Sequence, residues 1–249
     1  ATALARRLPA PLPAAHVLVN RGLDDEDKAR RYLEPALENL HDPLAMLDLD
    51  RAAVRILAAI ANGEPILVQG DYDVDGITSA FLLHRVLEEL GGRSSCRIPD
   101  RVRDGYGLTS EAVDEARRLG CGLIVTVDCG ITAVEAVAYA RSHGIDCVIT
   151  DHHEPPAELP AAHAIVNPLR PGCEYPFKAL AGVGVTFKLV ERLLESLGVA
   201  APKSRDAEAL RSLVGTAQFT VARNEWQLTS IDVRLDDARL QGELAMPDV

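Results

Sequence analysis

A chain of 249 residues is long enough for one large domain or two modest ones, with a sizeable buried core. Its composition, 47% hydrophobic and 25% charged, is that of an ordinary globular protein and excludes a low-complexity chain. A formal net charge of -11 counts against a broadly basic nucleic-acid surface, although carboxylates committed to divalent cations add to that figure and arginines gathered at one cleft would not show in it.

No apolar run is long enough to cross a bilayer without meeting a charge. The opening ATALARRLPAPLPAAH lacks the continuous apolar stretch of a signal peptide. Five cysteines (Cys96, Cys121, Cys129, Cys147, Cys173) are dispersed singly, which predicts reduced thiols and a cytoplasmic location.

Residues 1–47 are punctuated by proline, with a short charged helix predicted near Asp24–Leu33. DLDRAAVRILAAIAN (48–62) has helical periodicity, with Asp48 or Asp50 as N-cap and Gly63 as stop. A rhythm of short apolar runs and helical segments follows. ILVQ (66–69), LIVTV (123–127), CVIT (147–150) and AIVN (164–167) read as strands, while residues 77–90 and 132–144 read as helices. Continuous apolar strands alternating with helices predict an α/β fold, a doubly wound and mostly parallel sheet covered on both faces. Residues 48–200 form the expected catalytic core. After Lys203 a short helix (206–214) leads into alternating apolar and polar residues, a strand-rich, antiparallel segment within 201–249.

In open α/β sheets, ligands collect at the carboxyl ends of the strands. Three predicted strands end there on candidate metal ligands: Asp71, Asp73 and Asp75 after the first, Asp128 after the second, and Asp151, His152 and His153 after the third. In extended chain the first three aspartates share a side, and Gly76 would permit a sharp turn into the next helix. A single aspartate at a strand end usually caps a helix or shapes a turn. Three successive strand ends of this kind point instead to divalent metal, because close carboxylates cannot all ionise without compensation. Mixed carboxylate and imidazole ligation suits manganese or magnesium, and less exclusively zinc or iron. More than four ligands imply two ions sharing a carboxylate, the arrangement used for hydrolysis at phosphorus. A calcium loop is disfavoured, since Phe81 and Leu82 stand where its glutamate should fall.

GDYDVDG, VDCG and DHH, in this order and spacing, resemble the first three motifs of the DHH phosphoesterase superfamily. The longer run over about residues 16–195, including IPDRVRDGYGL and the stretch from Asn167 to Val185, is similar to RecJ-type exonucleases within it. The resemblance implies that Asp73, Asp75, Asp128 and His152 are metal ligands, with Asp128 bridging. It places His153 against the scissile phosphate or in the metal shell, and Asp151 and Asp71 at or just behind the metals. Arg101 would meet the DNA backbone, or be a solvated surface arginine. Tyr106 would stack on substrate or pack inside. Gly182 and Gly184 open a helix whose amides could hold a phosphate, or they serve close helix–sheet packing.

The family activity so implied is 5′ to 3′ exonucleolytic cleavage of single-stranded DNA in repair and recombination. Single-strand-binding protein and a helicase are the implied partners, and no membrane is involved. The family's fourth motif, Gly-Thr-x-x-Asp, begins at Leu213–Ala217 but Gln218 and Phe219 follow without the aspartate. Either a middle section is missing, or Asp206, Glu208, Asp232 or Asp236 substitutes. Two rival functions follow: a phosphatase for pyrophosphate or short oligonucleotides, which the acidic charge favours, and a non-catalytic DNA-binding relative.

Overall fold

The computed structural model describes residues 1–8, 10–34, 39–100, 105–198, 214–222, 225–235 and 238–242. The chain divides into two compact units, Leu40–Ala201 and a second made of Ala1–Asn39 with Pro202–Val249.

The larger unit is built on a parallel sheet of β1 (Ile66–Gln69), β2 (Ser94–Arg97), β3 (Leu123–Val127), β4 (Asp146–Thr150) and β5 (Ala164–Val166), in the order β2-β1-β3-β4-β5. Ile66 pairs with Leu123, Leu123 with Asp146 and Val148 with Ala164, so the carboxyl ends of the three central strands lie along one edge. Alternation along the strands assigns the two faces. Ile66, Val68, Leu123, Val125, Val127, Val148 and Val166 turn toward one core, shared with helices α4 (Leu49–Ala61), α5 (Val74–Glu89) and α8 (Gly182–Ser196). Leu67, Ile124, Cys147, Ile149 and Ile165 turn toward the other, under α6 (Ser110–Arg118) and α7 (Val134–Ser142). This is the doubly wound sheet that the apolar runs predict. Burying each such Leu, Ile or Val stabilises by about 1.5–3 kcal/mol.

Two local expectations change. Asp48 occupies the N-cap position of α4 at φ +62° without a side-chain capping bond; its carboxylate instead accepts from the Ile165 amide and from Arg170. Gly76 is not a turn residue but lies inside α5, which starts two residues earlier at Val74 because Asp73 Oδ1 accepts from the amides of Asp75 and Gly76. Glycine is required there because a Cβ would lie 2.5–2.7 Å from the backbone of Asp71.

A buried lysine ties α8 to the start of this unit. Lys188 Nζ, 2% exposed, donates to the His41 carbonyl and to Glu191 Oε2, both at 2.7 Å. The neighbouring Pro43–Ala45 turn is capped by Asp42.

In the smaller unit, α1 (Thr2–Arg7), α2 (Leu12–Asn20) and α3 (Glu26–Leu33) gather Leu4, Leu8, Leu18 and Ala29 into a small core. Asp25 caps α3. The strand-rich segment forms an antiparallel sheet of β6 (Val214–Ala222), β7 (Glu225–Leu235) and β8 (Ala238–Gly242). The expected helix at 206–213 lies outside the described residues, and Val214 already belongs to β6.

Candidate metal centre

The three central strands deliver their terminal residues to one place. Asp71 follows β1 and is 3% exposed, Asp128 follows β3 and is 1% exposed, and Asp151 follows β4, also at 1%. Ligand atoms of Asp71, Asp73 and Asp128 lie within 4.8 Å of one another, and so do those of Asp128, His152 and His153. Asp128 therefore belongs to both groups. The aspartates of motif one do not share a side as in extended chain, because α5 begins between them. Asp73 caps that helix, while Asp75 turns to α8 and accepts from the amides of Gly182 at 2.6 Å and Val183 at 2.7 Å.

Backbone strain helps to aim Asp128. It stands at φ +62°, a left-handed conformation that aspartate tolerates better than most residues. The turn is held by Thr126, whose buried hydroxyl donates to the Cys129 carbonyl at 2.7 Å. Gly130, at φ +105°, completes it, since a Cβ there would lie 2.7 Å from Thr126 Oγ1. Nothing in the pattern LIVTV marks Thr126 for this task. Thr126→Val is expected to weaken divalent-metal affinity by about tenfold or more, as loss of a ligand-orienting contact does. Thr126→Ser should restore it, and titration calorimetry with Mn2+ checks both.

The histidines are oriented by different acceptors. His152 Nδ1 lies 2.9 Å from the Leu180 carbonyl. A carbonyl only accepts, so Nδ1 donates to it, and the ring is held with Nε2 facing Asp128 Oδ1 at 3.0 Å. His153 Nδ1 is 2.7 Å from Asp151 Oδ1, which also accepts from the amides of His152 and His153. Asp151 Oδ2 accepts from Ile131 N at 2.9 Å. Both oxygens of Asp151 are thus committed to shaping the site. Asn167, fully buried, donates to the His153 carbonyl.

Tyr106 neither faces solvent alone nor sits in the core. Its hydroxyl lies 3.2 Å from His153 Nδ1 and 3.4 Å from Nε2, and its ring meets those of Tyr72 and His153 edge-on. Burial and the Asp151 charge raise its pKa, so it acts as a protonated hydroxyl.

Gly182 is closely packed, the second of its two sequence readings. Its amide is taken by Asp75 rather than open to a phosphate, and a Cβ on it would fall on the Asp128 carboxylate. Gly184 packs against Leu180, whose Cδ2 would lie 3.0 Å from an added Cβ. Arg101 lies outside the described residues, as do Asp206, Glu208 and Asp236; Asp232 belongs to β7 of the other unit.

The residues present fit a divalent cation. Asp71 Oδ1 and Asp128 Oδ1 are buried without a hydrogen-bond partner among the described residues, a costly condition for an acceptor. Burial, then the charges of Asp75 and Asp73, push Asp128 up to about 8. Burial likewise raises Asp71. Burial alone would lower His153, but its hydrogen bond to Asp151 and the surrounding carboxylates raise it overall. Two orphaned acceptors among clustered carboxylate and imidazole groups call for positive charge between them.

Residues 65–216 match the DHH family, N-terminal domain. The single-stranded-DNA-specific exonuclease RecJ of Bacillus subtilis (strain 168) is 46% identical over 183 residues, which is 74% of this chain and 23% of that protein. RecJ of Escherichia coli (strain K12) is 42% identical over 187 residues, 74% of this chain and 32% of that protein. Among solved structures, exonuclease RecJ bound to manganese is 37% identical at a TM-score of 0.57, covering 63% of this chain and 40% of that one. RecJ from Thermus thermophilus in complex with Mn2+ is 32% identical at a TM-score of 0.58, covering 74% of this chain and 25% of that one. The chain thus spans roughly a quarter to a third of the length of these curated relatives. With its family motifs converging on one sheet edge and its relatives among the RecJ exonucleases, the chain belongs to the DHH family.

Proposed function

We propose that the chain carries the catalytic core of a metal-dependent nuclease that hydrolyses phosphodiester bonds in single-stranded DNA, working from the 5′ end in repair and recombination. The observation that carries this reading is Asp128, shared by two groups of ligand atoms and left with an unsatisfied buried oxygen. Asp71, Asp73 and Asp128 would hold one manganese or magnesium ion, and Asp128, His152 and His153 the other, with Asp75 beside them at 3.9 Å from His152. Such ions supply Lewis acidity toward phosphoryl oxygens and make water a better nucleophile near neutral pH.

The chain's own residues prepare the ground. Leu180 O fixes the His152 ring with Nε2 inward, and Asp151 fixes that of His153. Tyr106, protonated, offers a donor at the rim beside His153. All five cysteines are unpaired, which supports work in a reducing cytoplasm.

One observation favours a second reading, a DNA-binding relative without turnover: Gly215 to Phe219 lie in β6, with Phe219 where the fourth motif would place its aspartate. A metal count per chain, combined with nucleotide release from single strands and duplex, separates the two. Two ions per chain with Mn2+-supported release from single strands only is the expected result. Fewer than two ions without turnover would overturn the claim, and comparable cleavage of pyrophosphate would favour a phosphatase.

A further inference from the structure

At the edge of the parallel sheet opposite the metal centre, the amino ends of β4 and β5 open on a cavity of about 240 Å³. Ile145, Asp146 and Cys147 bound it at the start of β4, His163 just before β5, Arg51 from α4 and Arg141 from the last turn of α7. Strand β4, five residues long, separates it from Asp151, a span of roughly 16 Å. A small ligand here therefore does not touch the metal ligands. We propose that this cavity is a second binding site of the chain, for inorganic phosphate or another small phosphate-bearing anion held between Arg51, Arg141 and His163.

The charge balance around the cavity leaves two cations over. Asp48 and Asp50, the carboxylates next to Arg51 in the chain, are taken by Arg170 and Arg192. Asp146, in the cavity wall itself, is taken by Arg55. Arg51 and Arg141 have no hydrogen bond or ion pair among the described residues, in a chain whose net charge is -11. Two guanidiniums that share one cavity repel each other, and an anion between them turns that cost into attraction.

His163 adds a third donor. Its amide donates to the Cys147 carbonyl, which pins the residue, while its ring nitrogens have no partner among the described residues. Burial, then the charge of Arg51, hold the imidazole below its ordinary pKa, so the ring is neutral at physiological pH and offers one N–H.

The arrangement selects the ligand. Donors that arrive from α4, from α7 and from the start of β5 suit a tetrahedral anion with an oxygen for each. A planar carboxylate has two oxygens, which one guanidinium fork can satisfy. The volume lies below the ~300 Å³ at which clefts for drug-sized ligands begin, and Val137, Ile145 and Cys147 are buried beneath it. An internucleotide phosphodiester, flanked by sugars on both sides, is too bulky for that space; a phosphate with a bare end is not.

The test uses the whole chain, freed of metal on a chelating resin so that the metal centre takes no phosphate. Calorimetric titration with inorganic phosphate and with methyl phosphate should give a Kd of about 1 mM or tighter for both. Arg51→Gln and Arg141→Gln should each weaken binding by about tenfold or more, the scale of one charge-assisted hydrogen bond. Ala161→Trp fills the cavity without removing charge and should weaken binding likewise. Arg118→Gln, on α6 and outside the cavity, should leave it unchanged. All four positions are exposed, so the variants should melt as the unaltered chain does. No binding up to about 10 mM phosphate, or an equal loss in Arg118→Gln and Arg51→Gln, would overturn the inference. So would binding confined to oligothymidylate without terminal phosphates, which would assign these arginines to a DNA backbone instead.

Discussion

On the proposed nuclease reading, Asp128→Asn is expected to remove metal-dependent cleavage of single-stranded DNA while making the metal-free protein more stable at mildly alkaline pH. Asparagine keeps the size of the side chain and tolerates the φ +62° backbone, but it cannot bridge cations. Metal-derived charge stabilisation contributes several kcal/mol to such reactions, so the rate should fall on the order of 10³-fold or more. The stability change runs the other way. The folded-state pKa of Asp128, about 8, stands above its ordinary value of 3.8, so the folded chain holds this proton more tightly than the unfolded chain does. That contribution is fully present below pH 3.8 and is lost as pH rises through about 8. In metal-free wild type the Tm should therefore decline across this window; in Asp128→Asn the decline should largely vanish. Thermal melts in a chelator at several pH values check it, and equal pH profiles for the two proteins would refute the electrostatic account.

Gly182→Ala is the second substitution expected to have a large effect. Its Cβ would land on the Asp128 carboxylate, so either that side chain or the start of α8 must move. Moving α8 disturbs the two amides that hold Asp75, and moving Asp128 disturbs both ligand groups. Overpacking of this kind costs about 1–3 kcal/mol, roughly 3–10 °C in Tm for a chain of this size. A displacement near 1 Å at the chemistry can cost about 10²-fold in rate. Gly184→Ala provides the contrast, because its one tight contact is with Leu180 Cδ2 at 3.0 Å, the end of a side chain that can give way. If both variants melt and turn over alike, the close approach of Gly182 to Asp128 does not matter.

These effects show which parts of the fold and centre are legible in the chain itself. Strands β1, β3, β4 and β5 announce themselves because both faces are buried and nearly every residue is apolar. Strand β2, Ser-Ser-Cys-Arg, does not, since an edge strand with partly exposed side chains needs no apolar run. Helix α6 is likewise concealed: it buries only Ala112, Val113 and Ala116 beneath a charged exterior. In the centre, the ligand types and their strand-end positions are visible in the motifs. Their partners are not. The Leu180 carbonyl that sets the His152 tautomer is a main-chain group 28 residues away, which no side-chain pattern encodes. Asp75 reads as one more ligand in a row of aspartates, yet its hydrogen bonds run to a helix more than a hundred residues downstream. Gly182 does leave a trace, a glycine opening a helix, but only the structure shows that the space it leaves belongs to Asp128.

The buried ammonium of Lys188 bears on where the larger unit can be cut. Its two partners are Glu191 on its own helix and the main-chain oxygen of His41, seven residues ahead of Asp48, the residue before α4. A fragment trimmed to Asp48 would strip one acceptor from a cation that is almost wholly enclosed, and would also remove Met46 from the core beneath α8. Leaving a buried charge half-compensated is among the costlier single defects a small domain can carry. A piece that keeps this acceptor and the candidate metal edge intact therefore begins near Leu40, and the short Asp42-capped turn before α4 is part of its foundation rather than a tether.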